Sequence, residues 1–307
     1  MRDPAGRTLV LSHPPYRAEV VTVGAALRSL TRNGLDLVAG FPPGERSTDY
    51  RGWVLMPWPN RVADGRYRHR GAEHQLPITE VGARNALHGL VGWVPWIVAD
   101  SDDRRVRLTY ELPAQDGYDG CLDLATTYAL GDDGLTVMFE ATNAGATAAP
   151  YGVGHHPYLT VGRPVDECEL SLPAREFAPM DDRGHPSPAR PVAGTELDFR
   201  EPRLLSSTAI DHPFTGLDRD PAGWATATLR DPATDRAVHV RVDAAFGWLH
   251  VFTADSHGER AREALAVEPM TCPPDAFNSG TDLVELGPGD SHRASYHLSG
   301  SDAASAW

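Results

Sequence analysis

An all-β fold of packed antiparallel sheets is what the 307-residue sequence predicts, on three observations. Apolar residues alternate with period two in segment after segment, the signature of half-buried strands. No long stretch carries helical periodicity. The 29 Gly and 26 Pro are spread through the chain, which suits many strands and turns and interrupts helices. A chain of this length can bury about 75% of its unfolded surface without disulfide or metal staples. It is read as one domain spanning 1–307.

The strands follow in order. Arg105 to Glu111 places Val106, Leu108 and Tyr110 on one face. Leu122, Leu124, Thr126, Tyr128 and Leu130 alternate up to Gly131-Asp132-Asp133-Gly134, and Leu135, Val137, Phe139 and Ala141 alternate after it, which makes a β-hairpin. Ala225 to Leu229 and Val238 to Val242 flank a turn at Asp231-Pro232-Ala233-Thr234-Asp235. Trp248 to Thr253, Ala264 to Val267 and His292 to Leu298 complete the set. Pro179 to Pro191 reads as a surface loop, and residues from about 299 to 307 as a flexible tail.

Composition narrows function. The 28 basic residues against 42 acidic ones leave a net charge of −14, which opposes nucleic acid and anionic membrane as partners. Every basic residue other than His is Arg. The lack of Lys excludes Schiff-base chemistry, pyridoxal phosphate attachment and a P-loop. Cys121, Cys168 and Cys272 are odd in number and widely spaced, which fits a reducing compartment. Met1-Arg2-Asp3-Pro4 lacks the apolar core of a signal peptide, and no apolar run is long enough for a membrane span. A cytoplasmic protein, monomer or homodimer, is expected.

Five segments concentrate chemically capable residues: Met56 to Arg61 with Gly65-Arg66-Tyr67, Asn85 to Gly89, Gly154 to Leu159, Ile210 to Phe214, and Val267 to Thr271 with Asp275 to Asn278. Each has an ordinary reading. A single His is usually structural or solvated, Trp58, Trp93 and Trp96 are more often core than sugar platforms, and Arg61 suits a surface ion pair. Glu268 stands out because it ends the apolar run Ala264 to Val267, where an acid must be paired, solvated or functional. His155 and His156 are adjacent, point to opposite faces of a strand and do not readily share one metal. Neither zinc-type cysteine spacing nor a nucleophile elbow nor a Gly-rich phosphate loop is present.

Together and in this order, the five segments resemble the aldose 1-epimerase (galactose mutarotase) family. The resemblance runs from about Val20 to Asn278, nearly the whole chain. Two positions depart from it: His155 stands where Asn is frequent, and Leu159 where Phe is. The resemblance implies a β-supersandwich, a monosaccharide substrate, and neither metal nor organic cofactor. It assigns Glu268 as general base, His156 as general acid, and Asn60, Arg61, His88 and Asp211 as substrate-binding residues, with Asp218 and Asp220 close to the last.

The residue types suit that reaction. Mutarotation takes a proton from the C1 hydroxyl and gives one to the ring oxygen, so a base and an acid must flank the anomeric centre. With ordinary pKa values of about 4.3 for Glu and 6.5 for His, the Glu is ionised near neutrality and the His needs neighbours to hold its proton. Three other readings stand beside a free aldohexose mutarotase: a glycoside hydrolase using Glu268 and Asp211, a non-catalytic sugar-binding protein, and a hexose-6-phosphate epimerase. The last would draw on Arg66, Arg68 and Arg70, which spacing by two puts on one strand face and which are expected to be solvated.

Overall fold

The computed structural model describes residues 3–301. Among them, twelve strands join one antiparallel sheet and nine join another. The larger sheet contains Leu27–Arg32, Leu35–Val38, Tyr158–Leu159, Leu265–Met270, Trp248–Phe252, Asp211–Leu217 and Ala174–Phe177 as consecutive neighbours. Gly154–His155 pairs with Leu265–Met270, and Val54–Leu55 pairs in turn with Gly154–His155. The smaller sheet is built on Arg105–Leu112, Leu122–Gly131, Gly134–Asn143, Ser291–Ser301, Ala237–Val242 and Ala225–Arg230. The α-helix content of the described residues is a single turn, Ala276–Ser279.

Period-two patterning explains how the sheets meet. Val106, Leu108, Tyr128, Val137, Phe139 and Val240 of the nine-stranded sheet share one buried cluster with Leu30, Phe214, Leu249, Val251 and Val267 of the larger one. Each such side chain contributes about 1.5–3 kcal/mol on full burial. The predicted hairpin closes in register from Leu122↔Asn143 to Gly131↔Gly134.

Two expectations need correction. Residues 299–301 are not a loose tail: they end the strand Ser291–Ser301 and pair with Ala237–Val242, Ala237 opposite Ser301. Residues 302–307 lie outside the described residues. The loop Pro179 to Pro191 is more than surface filler. A bridge joins Met180 to Pro186, Arg190–Pro191 pairs with Ala174–Phe177, and the tip folds over the site described below.

The strand Leu265–Met270 is buried along its whole length. Leu265 and Val267 enter the inter-sheet core, while Ala266, Glu268 and Met270 face the other way, under the loops. That outer face of the larger sheet carries the site. The adjacent histidines divide between the two faces as expected. His155 is fully buried in the core, where the Tyr296 hydroxyl donates to its Nδ1 at 2.6 Å. Its Nε2–H donates to the Tyr128 hydroxyl at 3.0 Å, which in turn donates to the Ala25 carbonyl at 2.6 Å. Burial pushes its pKa down to about 3, so the ring is neutral. His155 therefore ties the His156 segment to the other sheet. His155→Phe leaves the Tyr296 hydroxyl without its acceptor, and a loss of about 1–3 kcal/mol in denaturant unfolding is expected, with KM for sugar unchanged. A rise in KM with unchanged stability would mean that the residue contacts substrate.

Candidate active site

Antiparallel register brings the first residues together. His250 lies directly opposite Glu268, and Asp211 lies opposite Phe252, two residues further along the same strand. Directly opposed residues of an antiparallel pair have Cβ atoms about 4.5–5.5 Å apart. His156, just past Gly154–His155, points to the same face, with Nε2 3.4 Å from Glu268 Oε1. Both side chains are almost fully buried.

Loops deliver the rest. Arg61 begins the short strand Arg61–Ala63, which pairs with Asn85–Leu87. Asn60 and His88 flank this pair and lock each other. The Asn60 backbone N–H donates to His88 Nδ1 at 3.2 Å, and the His88 N–H donates to the Asn60 carbonyl at 2.8 Å. Asp49, Tyr50, Asn60 and His88 all adopt positive φ, between 55° and 62°. Such backbone costs on the order of 1–3 kcal/mol per residue and concentrates at functional sites. Gly89 follows at φ 77°, and a Cβ there would sit 2.0 Å from the Met56 carbonyl oxygen, so the turn behind His88 accepts only glycine.

These residues enclose a cavity of about 190 Å³, lined by Asn60, Arg61, His88, His156, Asp211 and Glu268, with His250, Glu80, Tyr50, Tyr158 and Phe252. The structure thus gathers all six of the residues singled out in the sequence. Asp218 and Asp220 are elsewhere, paired with Arg175 and Arg241. Arg66 and Arg68 are solvated on one face of Arg66–His69, Arg70 is exposed in the turn beyond, and none of the three lines the cavity. Trp58 and Trp96 are core residues. The aromatic walls are Tyr50, Tyr158 and Phe252 instead.

One polar network spans the site. Arg61 Nε and Nη2 donate to the two Glu80 oxygens, each at 2.9 Å. Asn60 Oδ1 accepts from the Arg61 backbone N–H at 3.0 Å and from its Nη1 at 3.3 Å. The Asn60 amide nitrogen is then turned toward His250 Nδ1, 3.5 Å away, while His250 Nε2–H donates to Asp211 Oδ1 at 2.7 Å. Asn85 Nδ2 donates to Glu80 Oε2 at 2.7 Å and to the Arg183 carbonyl at 2.8 Å, which fastens the 181–185 loop to the network. Asp275 and Asn278 act as scaffold. The Asp275 carboxylate accepts from the Ala63 N–H at 2.9 Å and Asn278 donates to the Arg66 carbonyl at 2.9 Å, pinning the strand that carries Arg61.

The electrostatics of the acid–base pair differ from the sequence expectation. Burial pushes Glu268 up to about 7, with Asp211 adding to the rise and His250 and Arg61 opposing it. Burial pushes His156 well below 6.5, helped by the nearby His250, His155 and Arg51. A Glu ionised throughout the neutral range is therefore not what this cavity holds. A buried pocket that disfavours both charges favours one proton on the pair as a whole. Asp211 is the opposite case: burial opposes its charge, but the hydrogen bond and charge of His250 and the charge of Arg61 win and bring it to about 2. Glu268 Oε2 and His156 Nδ1 have no protein partner, although both are buried. Unpaired buried polar atoms call for a functional account.

His88, His156 and Glu268 place ligand-type atoms within 4.8 Å of one another, a grouping the sequence reading did not anticipate. In His88, however, Nδ1 already accepts from the Asn60 N–H, which leaves the proton on Nε2. This ring offers the cavity a hydrogen-bond donor rather than a metal-binding lone pair. Glu80 and His250 are the residues that sequence reasoning missed. Both strands holding His250 and Glu268 were visible as alternating segments. Pairing them in register would have found His250, but the long Ala254–Ala264 connection has no tight turn to set that register.

Comparison with known proteins agrees with this architecture. Residues 7–299 match the family model described as aldose 1-epimerase. The chain is 39% identical over 299 residues to the uncharacterized protein YihR of Escherichia coli, covering 96% of this chain and 94% of that one. It is 27% identical over 224 residues to human galactose mutarotase, covering 66% and 63%. The crystal structure of a GalM/aldose epimerase homologue from C. elegans superimposes with a TM-score of 0.86 at 22% identity, over 97% of this chain and 99% of the other.

Proposed function

The chain belongs to the aldose 1-epimerase family, and from that premise we propose that it is a mutarotase, interconverting the α and β anomers of a free aldohexose by acid–base ring opening. The observation that carries the reading is the buried Glu268–His156 pair, 3.4 Å apart, with one unpartnered atom on each side chain. A hemiacetal presents its hydroxyl and its ring oxygen on the same carbon, and the pair straddles such a unit. Glu268 takes the C1 hydroxyl proton while His156 gives one to the ring oxygen. The open aldehyde then faces protonated Glu268 and neutral His156. Rotation about the C1–C2 bond and reversal of the two transfers closes the ring on the other face. The number of protons on the pair plus sugar never changes, so no step adds net charge to the buried cavity, where charge is costly. Each properly placed acid or base contributes about 10²–10⁴-fold.

Asn60, Arg61, His88 and Asp211 bind the sugar in this reading. His88 supplies its Nε2–H and Arg61 the N–H groups that Glu80 leaves free. Arg61→Ala is expected to raise KM about 10–100-fold, equivalent to the 1.5–3 kcal/mol of a charged hydrogen bond, with a smaller change in kcat. An unchanged KM would remove Arg61 from the sugar contacts. Arg61, the one Arg among the described residues lining the cavity, is neutralised by Glu80. That favours an uncharged aldose over a 6-phosphate.

One observation favours a second reading. Glu268 at about 7 and Asp211 at about 2 are split in the manner of a glycosidase acid and its partner carboxylate. Against it, Asp211 is committed to His250, and His156 is the group beside Glu268. Polarimetry on freshly dissolved α-glucose and α-galactose, run beside release of nitrophenol from nitrophenyl glycosides, separates the two. Accelerated mutarotation without nitrophenol release is expected; the reverse would make the chain a hydrolase.

A further inference from the structure

Arg51 is a cation buried where no carboxylate meets it. The side chain is 1% exposed. Its Nη1 donates to the Ala39 carbonyl at 3.2 Å, while its Nε is buried with no partner. Among the described residues no carboxylate comes within ion-pair distance of the guanidinium. Burial opposes its charge and Arg260 repels it, while Glu263 and Asp49 attract it only from beyond contact. An unpaired buried charge is costly, and an apolar side chain of similar length would fill the space without that cost. A fold that keeps a guanidinium here needs another reason for it.

The reason begins at the Tyr158 ring. The Arg51 guanidinium carbon lies 4.3 Å from the ring centroid, the geometry of a cation over an aromatic face. The same ring stacks on His156, with centroids 4.9 Å apart and planes 14° from parallel. Tyr50 stacks more loosely on His156, at 6.3 Å and 19°. Tyr158 and His156 line the cavity and Arg51 does not. Guanidinium, phenol ring and imidazole thus form one continuous set of contacts that runs from the interior to the proposed acid.

The backbone repeats the connection. The Gly52 N–H donates to the His156 carbonyl at 2.9 Å, and the His156 N–H donates to the Trp53 carbonyl at 3.2 Å. The Tyr158 hydroxyl donates to the Asp49 carbonyl at 3.2 Å, and the Ser47 hydroxyl to the Arg51 carbonyl at 2.9 Å. Gly52, at φ 68°, is pressed against the neighbouring strand: a Cβ there would lie 2.0 Å from the Leu27 carbonyl oxygen. Residues 47–53 therefore hold the His156–Tyr158 segment by its backbone, and the Arg51 side chain holds the ring on which the imidazole lies.

Resting on the mutarotase reading, we propose that Arg51 is a positioning residue for the acid: its guanidinium clamps the Tyr158 ring and through it sets the orientation in which His156 meets the ring oxygen of the sugar. The charge of Arg51 acts in the same place. His156 is faced by Glu268 at 3.4 Å, by the His88 ring at 5.2 Å, by His250 on the strand beside Glu268 and by the two tyrosines. Burial disfavours its imidazolium, and His250, His155 and Arg51 add to that. A neutral side chain at position 51 therefore lets His156 keep its proton to higher pH.

The test measures mutarotation and the titration of the His156 ring in Arg51→Met and Arg51→Lys. The titration is followed by NMR on protein with isotope-labelled histidine, the His156 signals being those lost in His156→Asn. Arg51→Met is expected to lower kcat about tenfold or more with KM little changed, because a small misplacement of a reacting group costs up to about a hundredfold. The same variant should move the His156 titration up by about half a pH unit or more. Arg51→Lys keeps the charge but not the planar face, so the titration stays near that of the parent and kcat falls less than in Arg51→Met. A folded Arg51→Met with parental kcat and an unmoved His156 titration overturns the proposal, whatever its stability. Should Arg51→Met fail to fold, Arg51→Lys decides: parental kcat overturns the clamp, and a severalfold fall at constant KM supports it. A parent that accelerates no mutarotation removes the mutarotase reading by itself. The His156 titration then still separates a clamp, which moves it in Arg51→Met, from a packing role, which does not.

Discussion

Glu268→Gln is expected to lower kcat for mutarotation by about 10²–10⁴-fold, while KM moves only a few-fold. The amide has nearly the shape of the carboxyl group, so packing in the fully buried strand Leu265–Met270 is kept and only the proton-accepting group is lost. The same variant should be more stable than the parent at alkaline pH. A carboxyl group whose folded pKa of about 7 exceeds its ordinary value near 4.5 binds its proton more tightly in the folded state. Its contribution to stability is fully present below about pH 4.5 and is lost as pH rises through about 7, where the buried carboxylate forms. The penalty above pH 7 is on the order of 3 kcal/mol, at about 1.36 kcal/mol for each pH unit between the ordinary and the raised value. Gln cannot ionise and escapes it. Thermal unfolding at pH 5 and pH 8 should show the variant gaining relative to the parent only at the higher pH. Near-normal turnover would end the general-base assignment. A variant equally destabilised at both pH values would show that Glu268 is held by contacts and not strained by burial.

His156→Asn has the second large effect, a comparable fall in kcat with KM little changed. His156 is the group closest to Glu268 and the only one of the pair that can protonate the ring oxygen while Glu268 accepts. In the parent, kcat/KM should trace a bell whose two limbs are macroscopic values of the coupled pair. In the variant Glu268 loses its partner, so its ionisation, and with it the acid limb, moves to higher pH. His88 is the internal control. It presents an Nε2–H donor to the same cavity. If His156→Asn keeps more than about a tenth of the parent rate, a loss smaller than one acid should cause, and His88→Asn does not, then His88 is the acid.

How legible was this site in the sequence? Glu268 was visible because an acid closing an apolar strand contradicts the burial of its neighbours. His156 and His155 could be told apart by strand alternation, and the structure puts one in the cavity and the other between Tyr128 and Tyr296. Asn60, Arg61, His88 and Asp211 came from the resemblance, and the cavity contains all four. Asp275 and Asn278 belonged to the same motifs but serve as scaffold, a distinction that motif order does not carry. The 181–185 loop looked like solvent-exposed filler because its Pro and Asp content describes local turn preference and says nothing of what the turn packs against.

The sequence alone determined what depends on local periodicity and residue chemistry. It specified the all-β class, the hairpin at Gly131–Gly134, the split of His155 from His156, and Glu268 as an acid out of place in an apolar strand, while the partnering of Glu268 with His156 came from the family resemblance. Tertiary structure decided what depends on register and burial. His250 opposite Glu268 requires the pairing of Trp248–Phe252 with Leu265–Met270, which no short turn encodes. The bidentate Arg61–Glu80 pair and the loop fastened by Asn85 join residues that only the folded chain brings to one wall. The protonation of the pair is also tertiary. A Glu taken from water into a closed cavity loses the solvation that keeps its pKa low, and that loss is set by the surrounding packing rather than by its neighbours in the chain.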